Sequence, residues 1–164
     1  MPEHDTLVRR VDVSLRDVDI ADLAVFYDDQ RDPDANHMVG FYARERDVFE
    51  LHWAKILRDD RTIKKTIEVD GRVAGYILSF GEVDEREVGY WISRPYWGKG
   101  VASSALAELL RHEPVRPLFA HVAKHNVASA RVLEKCGFKL VREQMGDAKG
   151  RGPYIEELVL ILDV

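Results

Sequence analysis

The tightest constraint on this sequence is a glycine-containing turn that joins a strand to a helix. Between Glu87 and Ser104 the chain reads EVGYWISRPYWGKGVASS. The pattern predicts a strand over Glu87–Ile92 and a helix over Gly100–His112. Glycines leave no side chain between backbone N–H groups and a ligand, and a helix start adds unpaired donors and about half a positive charge. The stretch therefore predicts a phosphate or pyrophosphate site or, alternatively, a tight connection that binds nothing.

The other periodic segments predict an α/β fold with a mixed, mostly antiparallel sheet. Asp70-Gly71 is typical of a two-residue hairpin turn, Asp19 and Asp22 predict the start of the first helix, and Asp32-Pro33-Asp34 is predicted to break it. The remaining predicted strands are Thr6–Val11, Thr62–Val69, Arg72–Phe80, Leu118–Val122, Phe138–Glu143 and Tyr154–Asp163, and the remaining helices are Asp47–Leu57 and Asn126–Cys136. We therefore expect about seven strands and about four helices in a single domain over residues 1–164.

Composition and charge exclude several classes of protein. Apolar residues make up 46% of the chain, which is enough to offset the entropy cost of folding and excludes a disordered protein. Charged or polar residues interrupt every apolar run before the ~20 residues of a bilayer span, which excludes a membrane-spanning helix. The polar start Met1–Arg10 has no signal core, and Cys136 is the only cysteine, so we expect a cytoplasmic protein. The net charge of -5 gives no support for nucleic-acid binding.

Several polar residues have more than one interpretation. His121 and His125 have the spacing of a metal pair on a helix, but they straddle a strand end and a loop, so no metal site is predicted. His37 and His52 either bind substrate or are structural. Acidic residues crowd the first third of the chain and form either a solvated face or a rim that attracts a cationic substrate: Asp28, Asp29, Asp32, Asp34, Glu45, Asp47 and Glu50.

Two nucleotide-binding fingerprints do not fit the glycine turn. A P-loop needs Ser or Thr directly after its lysine, but Lys99 is followed by Gly100. The dinucleotide fingerprint needs Gly or Ala three positions after Gly100, where Ser103 stands.

A second motif identifies the kind of site. The segment Asn126–Phe138 reads NVASARVLEKCGF. Together with Trp97, Gly98, Gly100 and Ala102, it resembles the GNAT superfamily of acyl-CoA-dependent N-acetyltransferases, and in particular the Rim-type branch (RimJ and RimL), which includes ribosomal-protein N-terminal acetyltransferases. In that branch Trp-Gly-x-Gly-x-Ala opens the cofactor helix, and Asn-x-x-Ser-x-x-Val-Leu-Glu-x-x-Gly-Phe follows later. The order of elements agrees over essentially the whole chain.

The resemblance implies a role for each matching residue. Backbone groups of Tyr90, Trp91 and Ile92 would pair with the pantetheine arm of acetyl-CoA, and Asn126 would bond the same arm or a water near it. The turn that begins after Trp97 would hold the pyrophosphate through its backbone N–H groups: Gly98, Lys99, Gly100, Val101, Ala102 and Ser103. Ser129 would point at the thioester sulfur.

The resemblance also implies the chemistry. Glu87 stands where many relatives place a carboxylate that accepts the amine proton through water; the alternative is an edge-of-strand glutamate paired with a cation. Many relatives use a tyrosine seven residues after the asparagine as the general acid, but that position is Leu133 here. Ser129 or water would then protonate the leaving thiolate.

The sequence therefore predicts an acetyltransferase that uses acetyl-CoA and no metal, with direct attack by a primary amine in a ternary complex. The acceptor is left open among a protein N-terminus, an antibiotic amine, a polyamine and a small metabolite. No nucleic-acid or membrane partner is expected, and a homodimer stays open. The alternative function is a non-catalytic sensor that binds acyl-CoA without turnover.

Overall fold

A seven-stranded sheet forms the centre of the fold in the computed structural model, which describes residues 11–147 and 151–164. In chain order the strands are β1 Val13–Asp17, β2 Ile63–Val69, β3 Arg72–Phe80, β4 Glu87–Ile92, β5 Leu118–Ala123, β6 Lys139–Gly146 and β7 Ile155–Leu162. They lie in the order β1-β2-β3-β4-β5-β7-β6, and every pair except β4–β5 is antiparallel. The predicted mixed, mostly antiparallel sheet is confirmed.

Helices cover both faces of this sheet. They are α1 Leu23–Asp29, α2 Pro33–Val39, α3 Arg46–Arg58, α4 Val101–His112 and α5 Val127–Lys135. On one face, Leu106 of α4 and Leu133 of α5 belong to a core with Ile77 of β3. On the other face, Phe26 of α1 and Trp53 of α3 pack with partly buried side chains of β3. None of the helices in the described ranges has the length and apolarity needed to cross a bilayer.

At the centre of the sheet, β4 and β5 are joined by a single pair of residues. β4 and β5 run parallel and pair only at Glu87 and Phe119, whereas β3 pairs with β4 along six consecutive residues. Beyond Glu87, β4 therefore leaves its backbone groups on this side without a ladder partner on β5. An unpaired strand edge of this kind can accept an extended ligand as an additional strand.

Most of the local sequence predictions agree with the structure, and one helix was missed. β3 and β4 have the predicted bounds. Asp19 and Asp22 form the expected capping box at a 3₁₀ turn that leads into α1. The Asp32-Pro33 step was predicted only to break a helix. It also starts α2, because the Asp32 side chain accepts hydrogen bonds from the N–H groups of Asp34 and Ala35, and proline suits the first helical turn. Residues 11–147 and 151–164 therefore contain five α-helices instead of about four.

The first strand differs from its prediction. The predicted strand Thr6–Val11 falls on residues 6–10, which lie outside the described residues, and on Val11, which is not in a strand. The first described strand is β1, and it pairs with β2.

A buried ion pair holds the start of β4 in place. Arg86, directly before β4, donates from Nε to Glu113 Oε2 at 2.7 Å, and Ser79 Oγ donates to the same oxygen at 2.6 Å. Arg86 and Glu113 are only 7% and 1% exposed. Because Glu113 follows α4 and Ser79 lies on β3, this contact links three elements next to Glu87.

Candidate active site

The glycine turn before α4 has the backbone conformation that the sequence predicts. Gly98 and Gly100 have φ angles of +72° and +74°, in the left-handed region that favours glycine. Gly100 directly precedes α4, and no side chain caps the helix start. A Cβ built at either glycine meets nothing within 4 Å, so the space above both residues is open. The first N–H groups of α4 therefore have no side-chain cap and are available to an anion.

This turn borders a groove of about 280 Å³ between β4, α4 and α5. The groove brings together nearly all of the residues predicted to contact the cofactor: Tyr90, Trp91, Ile92, Trp97, Gly98, Gly100, Val101, Ala102, Ser103, Asn126 and Ser129. Lys99 is the exception, because its Nζ lies 5.9 Å from the ring centre of Tyr96 and the residue does not line the groove. The indole of Trp97 donates a hydrogen bond to the Ile92 carbonyl at 2.8 Å, which fixes the turn against the end of β4.

Ser129 has a hydroxyl partner that the sequence analysis missed. Tyr90 Oη lies 2.7 Å from Ser129 Oγ, so the two hydroxyls share a hydrogen bond. Burial raises the pKa of Tyr90 to about 12, against the opposite effect of this hydrogen bond, so the phenol keeps its proton at neutral pH. Asn126 caps α5, since its Oδ1 accepts from the Ser129 N–H at 3.3 Å. The alternation of side chains along β4 could have predicted this contact, because it places Val88, Tyr90 and Ile92 on the face of β4 that α4 and α5 cover.

The opposite face of β4 borders a second, larger cleft. The residues of β4 that alternate with Val88, Tyr90 and Ile92 lie on this face: Glu87, Gly89 and Trp91. Their partners on β3 are, in the same order, Phe80, Leu78 and Tyr76. Together with side chains from α3 and β5, they line a cleft of about 760 Å³. Tyr90 and Trp91 line both the groove and the cleft. The two cavities therefore meet at β4, where the sheet is split.

Glu87 belongs to a short chain of polar side chains in this cleft. His121 Nε2 lies 3.3 Å from Glu87 Oε1, and His121 Nδ1 lies 3.3 Å from Glu157 Oε1. The side chain of Glu87 is 34% exposed, whereas Glu157 is only 2% exposed. Gln144 Nε2 also donates to Glu157 Oε1, at 2.7 Å. The sequence analysis predicted Glu87 but gave no signal for Glu157, because the two residues meet only through the sheet order.

The family of the chain follows from a comparison with known proteins. A family model described as an acetyltransferase (GNAT) domain matches residues 12–139. The chain belongs to the GNAT acetyltransferase family. The resemblance drawn from the two sequence motifs is confirmed.

Solved GNAT structures share the fold over nearly the whole chain. Spermidine N-acetyltransferase from Vibrio cholerae, in complex with CoA and spermine, has a TM-score of 0.79 at 17% identity, over 92% of this chain and 95% of that one. Mycobacterium smegmatis RimJ, in complex with CoA-disulfide, has a TM-score of 0.73 at 23% identity, over 94% and 85%. RimL, a ribosomal L7/L12 acetyltransferase in complex with CoA, has a TM-score of 0.77 at 17% identity, over 93% and 94%. No curated protein sequence gives a significant match.

In this GNAT domain the position of the usual tyrosine acid lies away from the cavities. Leu133 is 1% exposed and belongs to the core under α4 and α5. The hydroxyls of Tyr90 and Ser129, which share a hydrogen bond, border the groove instead. The usual tyrosine of many relatives would stand on α5, whereas the phenol of Tyr90 reaches α5 from β4.

Four histidines of this GNAT domain fall into two groups. His121 and His52 line the cleft, whereas His37 stacks on His125 with ring centres 5.4 Å apart. Burial, together with the nearby charges of Arg44, Lys55 and Arg151, lowers the pKa of His52 to about 4. Within residues 11–147 and 151–164, no three His, Cys, Asp or Glu side chains are grouped to hold a metal ion.

The acid-rich first third does not form a rim around the cleft. Asp32 and Asp34 pair with Arg94, and the hydroxyl of Ser93 donates to Asp29 at 2.6 Å. None of the seven acidic residues named above lines either cavity. The solvated-face interpretation describes them better than an acidic rim.

Proposed function

We propose that this GNAT protein transfers the acetyl group of acetyl-CoA to a primary amine by direct attack in a ternary complex. The observation that carries the proposal is the meeting of two cavities at Tyr90 and Trp91, one on each face of the split sheet. A donor entering from one face and an acceptor entering from the other would meet there without a covalent enzyme intermediate.

The groove fits a CoA derivative. Its bare glycine turn and the N-terminus of α4 offer backbone donors to a pyrophosphate, and the unpaired edge of β4 at Tyr90–Ile92 offers backbone groups to an amide-containing arm. The apolar walls, which include Val101 and Ala102, suit the alkyl parts of such an arm. When bound, acetyl-CoA supplies an activated acyl thioester.

Glu87 is proposed as the base. The amine nitrogen forms its new bond to the acyl carbon while the carbon–sulfur bond breaks, and the ammonium proton that is lost passes through water to Glu87. His121 contacts Glu87 and is itself oriented by buried Glu157, so it is a positioning residue. As a general base, an oriented carboxylate of this kind typically accelerates the reaction ~10²–10⁴-fold.

The proton for the sulfur comes from the other face of β4. Ser129 Oγ borders the groove and shares a hydrogen bond with the protonated phenol of Tyr90. We propose that Ser129 donates its proton to the leaving thiolate and recovers one from Tyr90, and that the phenol of Tyr90 regains its proton from water as the thiol leaves. In this proposal the pair takes the place of the tyrosine that many relatives carry at the position of Leu133.

The second candidate function is an acyl-CoA sensor without turnover. The replacement of the usual tyrosine by buried Leu133 favours it. The two functions differ in one measurement, since only an enzyme releases free thiol when acetyl-CoA and an amine are both present.

The experiment measures thiol release from acetyl-CoA over a panel of primary amines, with binding followed by titration calorimetry. We expect turnover by the wild type, and a ~10²–10⁴-fold lower rate for Glu87→Gln at neutral pH. Acetyl-CoA affinity should stay unchanged. Glu85→Gln is the matched control, because Glu85 is exposed and lies two residues before Glu87, outside the cleft.

The pH profile is the sharper readout for the base. The wild-type rate should rise through the pKa values of the base and of the amine, whereas Glu87→Gln should keep only the limb that belongs to the amine. Acetyl-CoA binding without thiol release from any amine would support the sensor. A wild-type rate and pH profile in Glu87→Gln would remove Glu87 from the mechanism.

A further inference from the structure

The acceptor cleft has basic side chains at one end and a buried acidic group at the other. The basic side chains are Arg44, two residues before the start of α3, and Lys55 on α3. The acidic group is Glu87–His121–Glu157, at the junction of β4, β5 and β7. The inference drawn from this division rests on the proposed function, since it names the class of amine.

Arg44 is a cation without an acidic partner. Its side chain is half-buried, and its guanidinium lies 5.3 Å from the ring centre of Phe41, which packs edge-on against Trp91. No carboxylate in the described parts of the chain makes an ion pair with Arg44, although Arg16, Arg86 and Arg94 all have one. A half-buried guanidinium that faces a cleft in this way can bind the anionic group of a ligand.

The neighbours of Arg44 complete a site for an anion. Lys55 is exposed, lines the same cleft and has no carboxylate within ion-pair distance among the described residues. His52 lies one turn before Lys55 and also lines the cleft. Its lowered pKa keeps the imidazole neutral at pH 7, so it offers one N–H donor without adding charge.

The acidic end has capacity left for a cation. Glu157 Oε1 already contacts His121 and Gln144, but the buried Oε2 has no hydrogen-bond partner in the described chain. Asp59, a further acid in the lining, accepts from the N–H of Arg61 and the hydroxyl of Thr62. Asp147, the last acid in the lining, accepts from the Gly152 N–H and directly precedes residues 148–150, which the structure does not describe. An amine that enters next to Glu157 would supply the missing donor.

The two ends are a small molecule's length apart. In the β3–β4 register, Glu87 stands opposite Phe80, and Trp91, at the Arg44 end, stands opposite Tyr76. Four residues of strand correspond to about 13 Å. The amine reacts between these ends, where the groove and the cleft meet, so its distance to Arg44 is shorter than the full span.

We propose that the acceptor is a small primary amine that also carries a carboxylate or phosphate group. The amine lies toward Glu87, His121 and Glu157, and the anionic group binds Arg44 and Lys55. A polyamine fits this cleft less well, because its second ammonium group would lie next to Arg44.

The test uses amines that differ only in the charge of their far end. Unbranched ω-amino carboxylates of two to six carbons are compared with their neutral amides and with the diamines of equal length, and 2-aminoethyl phosphate tests the phosphate. We expect the best amino carboxylate or the phosphate to exceed its uncharged counterpart by about tenfold to a hundredfold in kcat/KM, as for one charge-assisted hydrogen bond.

Arg44→Gln should remove this preference, because it lowers the kcat/KM of the amino carboxylate toward that of its neutral amide. Lys55→Gln, an exposed position, should reduce the preference by a smaller factor and serves if Arg44→Gln does not fold. Arg58→Gln is the matched control, because Arg58 is an exposed cation at the end of α3 that does not line the cleft. A preference for diamines, or a preference that Arg44→Gln leaves unchanged, overturns the proposal.

A binding measurement separates this inference from the proposed function. Calorimetric titration of the same amines in the presence of CoA, which has no acyl group to transfer, reports recognition without turnover. If the amino carboxylates bind in an Arg44-dependent way but no thiol is released from acetyl-CoA, the acceptor site stands and the enzymatic function fails. If amines are acetylated with no charge preference, the function stands and this inference fails.

Discussion

Glu113→Gln tests whether the buried ion pair with Arg86 is needed to hold β4 in place. Three donors converge on the wild-type carboxylate: Ser79 Oγ and Arg86 Nε on one oxygen, at 2.6 and 2.7 Å, and the Val115 N–H on the other, at 3.0 Å. Glutamine keeps the shape but has one acceptor oxygen, so its NH₂ group must face at least one of these donors. It also leaves the guanidinium of Arg86 buried without a counter-charge.

The expected loss of stability is large, because breaking one side of a buried pair costs about 3–5 kcal/mol. For a chain of this size each kcal/mol lowers the unfolding midpoint by about 2–4 °C, so we expect a decrease of about 6–20 °C. Urea unfolding should show a lower midpoint with an unchanged slope. Glu108→Gln is the control, because Glu108 lies on α4 and, among the described residues, pairs only with the exposed Arg111 and His112.

The pH dependence gives an independent check on the same pair. Burial alone would raise the pKa of Glu113, but the hydrogen bonds from Ser79 and Arg86 lower it below its ordinary value. The stabilisation is therefore present above the ordinary carboxyl pKa and is lost as the pH falls through the lowered one. Glu113→Gln should lack this acid-dependent loss. A stability loss below about 1 kcal/mol, equal to that of an exposed pair, would refute the reasoning.

Three further predictions concern the two cavities. Gly100→Glu places bulk and negative charge at the start of α4, so acetyl-CoA affinity measured by calorimetry should collapse while the circular dichroism spectrum persists; unchanged affinity would mean that the phosphates bind elsewhere. Ser129→Ala should lower kcat by at least about tenfold with little change in acetyl-CoA affinity, and Tyr90→Phe should also lower kcat. Full turnover in both variants would leave water as the proton donor. The pKa of His52 falls from 6.5 to about 4 on folding, so between these pH values the unfolded chain binds a proton that the folded chain does not. The wild type should therefore lose up to about 3 kcal/mol of stability as the pH falls through this window. Urea unfolding of His52→Gln should lack that loss.

Predictions that rest on neighbouring residues agree closely with the structure. The Asp70-Gly71 turn has the positive φ angles, +50° and +80°, that a two-residue hairpin of this kind needs. Asp32-Pro33 was interpreted only as a break, although the same residues are a strong helix start. The choice between the two depended on whether the following short segment could be buried, and Ala35 of α2 is 2% exposed in a cluster with Phe41 and Trp91.

The sequence alone determined the family and the residues of the groove between β4, α4 and α5, because that groove is built largely from short segments whose backbone conformation is set locally. The positive φ of Gly98 and Gly100 and the free N–H groups of α4 need no distant partner. The cleft proposed to bind the acceptor was decided only by the tertiary structure. Glu87, His121 and Glu157 come from strands that are neighbours through the order β4-β5-β7, and strand register decides which side chains share a face. Arg44 reaches the same cleft from the loop before α3, and no local pattern predicts that contact.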